Sequence, residues 1–154
     1  MTRPEYAKQL FYEGYACSQA IVLAFSDLVD CDKEQLKKIS LPFGGGIGRL
    51  RLTCGAYSGM LMIISLLFSN YEDVEENKIK TYEIVQELAR RFEEVHTTLN
   101  CAKLLELANL EVQYGGAPEF RNDEYYKKRP CGKIVYQAAE ILEKYLIEKK
   151  IINQ

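Results

Sequence analysis

Three observations predict an all-α fold. Apolar residues recur at helical spacing, most plainly over Tyr82, Val85, Leu88, Ala89, Phe92 and Val95. No alternating stretch is long enough to make a strand. Asn, Asp, Pro and Gly stand between the apolar segments, where helices start and stop. The expected architecture is a compact multi-helix bundle, one domain over residues 1–154, with a buried central helix after a glycine-rich loop.

Each element follows from its residues. Pro4 to Glu13 suits a first helix, with Tyr6, Leu10 and Phe11 at helical spacing, and Gly14 breaks it. Cys17 opens a second helix that turns Ala20, Ile21, Ala24 and Phe25 to one face. Asp30 or Asp32 can cap a polar third helix from Lys33 to Ile39. Pro42 then leads into Gly44, Gly45, Gly46 and Gly48. A dinucleotide fingerprint starting at Gly44 would need glycine where Arg49 stands, and the Walker A spacing also fails, so the loop is read as a turn. Thr53 is the expected N-cap of the next helix, with Cys54 at its start. Gly55, Ala56, Ser58 and Gly59 allow close packing. Met60 to Phe68 is almost wholly apolar, as in a helix buried on all sides.

Asn70 to Asp73 makes a turn before a long amphipathic helix from Val74 to His96. Asn100 can cap a short helix from Cys101 to Ala108. Glu111 to Pro130, with Gly115, Gly116 and Pro118, reads as a loop. Pro130 stands near the first position of a last helix running from Cys131 to about Lys149. Ile134, Val135, Ala138, Ile141, Leu142 and Tyr145 form its inward face.

Lys plus Arg is 20 and Asp plus Glu is 22, a formal net charge of −2, which argues against nucleic acid as the main partner. The opening residues, MTRPEYAKQ, are polar and charged, so no secretory signal is read. The apolar run after Cys54 is shorter than the ~20 residues that span a bilayer. A soluble, cytoplasmic protein is expected. There, five cysteines are not permanent structural disulfides, and no C-x-x-C is present.

Four cysteines share one local setting. Cys17, Cys54, Cys101 and Cys131 each fall in or beside the first turn of an expected helix, where the dipole favours a thiolate. Basic residues reinforce three of them. Arg49 and Arg51 precede Cys54, Lys103 follows Cys101, and Lys127, Lys128, Arg129 and Lys133 flank Cys131. Cys31 lies between Asp30 and Asp32, which oppose a thiolate, and is set aside. His96, the single histidine, is read as a helix-end dipole partner and not as half of a Cys–His pair. Tyr12, Tyr15 and Tyr57 are aromatic candidates for the surroundings of the thiols.

CGAYSG matches C-G-A-x-x-G. With a cysteine upstream in GYACSQA and two downstream in NCAKLL and PCGKIV, the chain resembles the C_GCAxxG_C_C family over nearly its whole length. The resemblance implies a small helical protein of prokaryotic type, redox-active through the cysteines that stand here at 17, 54, 101 and 131, and encoded in some genomes near transporter genes. A related helical arrangement occurs in split-Soret cytochromes, but this chain lacks the C-x-x-C-H of covalent haem attachment.

Two chemistries fit these residues. In the first, the protein is a thiol–disulfide oxidoreductase in which a pair among Cys17, Cys54, Cys101 and Cys131 cycles between dithiol and disulfide. Cys54 is the expected nucleophile, and its partner is open. In the alternative, the four thiolates converge on zinc or an iron–sulfur cluster, although paired short spacings are absent. A redox partner or transporter-associated protein is expected, and the apolar helix faces suit a homodimer.

Overall fold

The computed structural model describes residues 1–153. Among them eight helices are formed and no strand. They are α1 (Arg3–Tyr12), α2 (Cys17–Ala24), α3 (Lys33–Ser40), α4 (Gly55–Phe68), α5 (Val74–His96), α6 (Cys101–Leu107), α7 (Asp123–Lys128) and α8 (Cys131–Glu148). No helix is long and apolar enough to cross a membrane among these residues.

The caps explain most of the boundaries. Thr2 and Glu5 form a reciprocal capping box on α1. The carboxylates of Asp32 and Asp73 accept from the third residues of α3 and α5, and the Asn100 side chain does the same for α6. Of the two aspartates expected at α3, Asp32 is the cap. Thr53 does not cap α4. Cys54 itself is the N-cap residue, because Thr53 is held in a one-residue antiparallel bridge with Asn100. Helix α7 falls inside the segment read as a loop. Its signal is Asn122 accepting from the Tyr125 N–H, followed by Asp123 and Glu124 in the first turn and Lys127 and Lys128 in the last.

The most enclosed helix is α2, in which every residue after Cys17 is buried. It packs on α1, α3, α4 and α8, so each of its faces meets another helix. Ser18 and Ser40 are buried there with their hydroxyls satisfied, each donating 2.6 Å to a carbonyl. The first half of α4 lies in the core beside α2, as expected of the helix after the glycine loop. Its second half opens on one side, where Leu66 is 44% exposed. Gly59 is what allows the α2–α4 approach, since a Cβ there would lie 2.8 Å from the Ser18 carbonyl and 2.9 Å from Ile21 Cβ. In α5, Leu88 and Phe92 are fully buried, whereas Tyr82 and Val95, at the ends of the expected stripe, are exposed. The helix is longer than the core it covers. The inner face of α8 comprises Ile134, Val135, Ala138, Leu142 and Tyr145, with Ile141 at its margin.

Candidate functional site

Cys17 is the first residue of α2, Cys54 the N-cap of α4, Cys101 the first residue of α6 and Cys131 the first residue of α8. All four line a single cavity of about 260 Å³. Cys31 lies outside it, on the bend before α3. A second groove, about 480 Å³ between α5 and α8, is lined by charges of both signs and contains no cysteine.

Backbone bonds hold the Cys54 and Cys101 segments side by side. The Cys54 N–H donates to the Leu99 carbonyl at 2.7 Å and the Cys101 N–H to the Leu52 carbonyl at 2.6 Å, on either side of the Thr53–Asn100 bridge. The glycine loop supports the same wall. It is a single turn, Gly44–Ile47, in which Gly45 and Gly46 have left-handed backbone. Gly46 is obligatory, because it has φ 67° and a Cβ on it would fall 2.5 Å from Cys101 Cβ. The loop then takes the Leu52 N–H on the Gly46 carbonyl.

Arg49 and Arg51 also have positive φ, 68° and 59°, a conformation that costs about 1 kcal/mol or more for each non-glycine residue. Arg51 is 5% exposed. Its Nε donates to the Gln113 carbonyl at 2.9 Å, and its Nη1 lies 3.8 Å from Cys101 Sγ. Arg49 Nε donates to the Gly115 carbonyl at 2.9 Å. Neither arginine therefore acts on Cys54 as the sequence order suggested. One serves Cys101, and both anchor the segment at 113–115.

Two further arginines come from the far side. Arg121 donates to the carbonyls of Phe11 at 2.9 Å and Tyr15 at 3.0 Å, with its guanidinium 4.4 Å from the Phe11 ring centre. Arg129 pairs with Glu119 and stacks on Tyr125. Arg121, Glu119 and Tyr125 were not found in the sequence, and nothing in the run around Arg121 marks it. Tyr12, Tyr15 and Tyr57 do not line the cavity. Tyr12 packs on Phe11 and Tyr126, and the Tyr57 hydroxyl donates to the Val85 carbonyl. His96 is in the last turn of α5, but it is not the charged dipole partner expected. Burial and then Lys133 hold its pKa down, so the neutral ring packs on Phe92.

The thiols are not equivalent. Cys17 and Cys131 line the cavity close enough for each thiol to bear on the other's proton affinity. The neighbouring Cys17 thiol pulls the Cys131 pKa down. Arg129, Arg121 and Arg51 act in the same direction against burial. Cys131 in turn pushes Cys17 well up, with burial adding to it. Cys54 is pushed up to about 12 by burial, although the N–H groups of Tyr57 and Ala56 face the sulfur and oppose the shift. Burial also raises Cys101, with Arg51 offsetting part of the effect. All five cysteines are free thiols. Among the described residues no group of three or more His, Cys, Asp or Glu side chains is arranged to hold a metal ion.

A small all-α domain in which helix N-termini deliver thiols to one arginine-lined cavity is a helical thiol protein. The chain belongs to the C_GCAxxG_C_C family, described as "Putative redox-active protein (C_GCAxxG_C_C)", whose profile matches residues 15–145. Comparison with curated proteins and with solved structures returns no match.

Proposed function

We propose that this protein is a thiol–disulfide oxidoreductase whose working pair is Cys17 and Cys131, in a reducing, cytoplasmic setting that keeps the pair as a dithiol. The observation that carries this reading is that the two thiols are neighbours in one cavity, beside Arg121 and Arg129. Cys131 is the nucleophile. Its thiolate is favoured by the neighbouring Cys17 thiol, by the N-terminus of an 18-residue helix and by arginine charge. Cys17 is the resolving thiol.

The exchange begins when the Cys131 thiolate attacks one sulfur of a substrate disulfide. A mixed disulfide forms and the first substrate thiolate leaves, taking a proton from solvent. Cys17 then attacks the Cys131 sulfur. The Cys17–Cys131 disulfide closes, and the second substrate thiolate leaves with the proton Cys17 gives up. Two electrons pass from the protein dithiol to the substrate. The four-thiolate metal site is the weaker reading, since among the described residues no group of three or more His, Cys, Asp or Glu side chains is arranged to hold a metal ion.

The test is oxidation of the reduced protein in glutathione buffers of graded potential, followed by alkylation and peptide mapping. A single two-electron transition that links Cys17 to Cys131 is expected. A bond formed first between any other pair overturns the assignment. Protein purified without oxygen that carries stoichiometric metal with no free thiols overturns the redox reading itself.

A further inference from the structure

The cavity has more positive charge than its thiols can neutralise. Four arginines line it, and the single acidic residue in its wall, Glu119, is already paired with Arg129. Arg49, Arg51 and Arg121 form no ion pair among the described residues. Their recorded partners are backbone carbonyls and the Cys101 sulfur. A guanidinium has five N–H donors, so each keeps donors to spare. A guanidinium as enclosed as that of Arg51 is costly unless an anion meets it. One Cys131 thiolate supplies one negative charge against three. The N-termini of α2, α4 and α8 add positive potential at the same place.

Resting on the redox reading above, we propose that the cavity selects small disulfides whose ends carry negative charge. Arg49, Arg51 and Arg121 hold the carboxylate or sulfonate groups and bring the S–S bond to Cys131. Arginine suits both groups, because its planar fork binds an oxyanion through two parallel N–H bonds. A space of about 260 Å³ lies just under the usual range of ligand cavities and limits the occupant to a low-molecular-weight compound. The reaction is the exchange already described. The substrate's S–S bond breaks, the protein's S–S bond forms, and two small thiols leave with one proton from Cys17 and one from solvent.

The experiment uses disulfides of similar size and different end charge on the reduced full chain. Dithiodipropionate carries two carboxylates, bis-hydroxyethyl disulfide is neutral and cystamine carries two ammonium groups. Tetrathionate represents the sulfonate-ended source. Each rate is divided by that of the same compound with free 2-mercaptoethanol, which removes intrinsic reactivity. At low salt the corrected rate for dithiodipropionate should exceed that of the neutral compound by about tenfold or more, and cystamine should be slowest. Added salt should compress the order, and Arg49→Gln should do so in a variant whose circular dichroism is unchanged.

Preference for dithiodipropionate assigns carboxylate-bearing thiols as the source, and preference for tetrathionate assigns sulfur oxyanions. A flat series in which every compound closes the Cys17–Cys131 bond overturns the substrate class and leaves the redox function standing. The Cys17→Ser/Cys131→Ser variant separates the two claims from the other side. Saturable binding of dithiodipropionate there, with no oxidation of the wild-type protein by any compound, keeps the anion site and overturns the redox reading.

Discussion

Cys54 and Cys131 each stand at the start of a long helix with an arginine nearby in sequence, yet their thiols differ in opposite directions. Cys54 is 7% exposed and pushed up to about 12, while Cys131 is held below the ordinary thiol value. The helix dipole is present in both. The difference comes from what else touches each sulfur. Cys54 sits against the apolar first turn of α4 beside Ala56 and Tyr57, in a wall closed by the Leu99 and Leu52 carbonyls. Cys131 shares the cavity with the Cys17 thiol and with Arg121 and Arg129. A helix N-terminus biases a thiol, but a specific neighbour and charge decide whether the bias outweighs burial.

The largest effect that separates these regions is on the Cys54 wall. Gly46→Val places a branched side chain at φ 67° against Cys101 Cβ and the Leu52 N–H, which should cost about 3 kcal/mol or more in denaturant unfolding. Wild-type stability would show that this wall yields and is not what buries Cys54.

Next in size is thiol reactivity. Only the thiolate is alkylated, so the rate at each cysteine rises with pH until its own pKa is passed. Cys131 should therefore level off below the usual thiol range, while Cys54 should still be climbing at pH 10. Near neutral pH Cys131 should hold far more thiolate than Cys54 and label faster, even though the more acidic thiolate is the weaker nucleophile. Time-resolved iodoacetamide labelling read by mass spectrometry gives the two rates. Cys54 labelling faster than Cys131 would reverse the comparison.

A smaller change tests the cause. Cys17→Ala removes the neighbouring thiol and Arg129→Gln removes a charge, and each should move the Cys131 plateau to higher pH, with Cys17→Ala having the larger effect. An unmoved plateau in both variants would leave the dipole as the source. The smallest effect is expected at Cys31, which lies outside the cavity. Cys31→Ser should leave the redox transition unchanged and alter stability by no more than about 0.5 kcal/mol.

The helices were legible because their signals are local. Asn100, Asp32 and Asp73 accept from N–H groups three residues on, and the spacing of Leu88 and Phe92 marks a buried face whatever it packs against. Helix α7 was legible too, in Asn122 and the charges after it, but glycine and proline upstream outweighed that signal. The recurrence of Cys17, Cys54, Cys101 and Cys131 at helix starts is also local, and it pointed to the residues of the cavity. Which thiol is acidic was not local. Arg51 is three residues from Cys54 in the chain, yet its guanidinium lies against Cys101 because positive φ at Arg49 and Arg51 turns the segment toward residue 113. Arg121 reaches the cavity by crossing to the carbonyls of Phe11 and Tyr15, more than 100 positions away. Helix position, capping and core spacing depend on neighbours within a few residues, so the sequence by itself determined them. The meeting of Cys17, Cys131 and four arginines in one cavity depends on contacts across the fold, which only the tertiary structure decided.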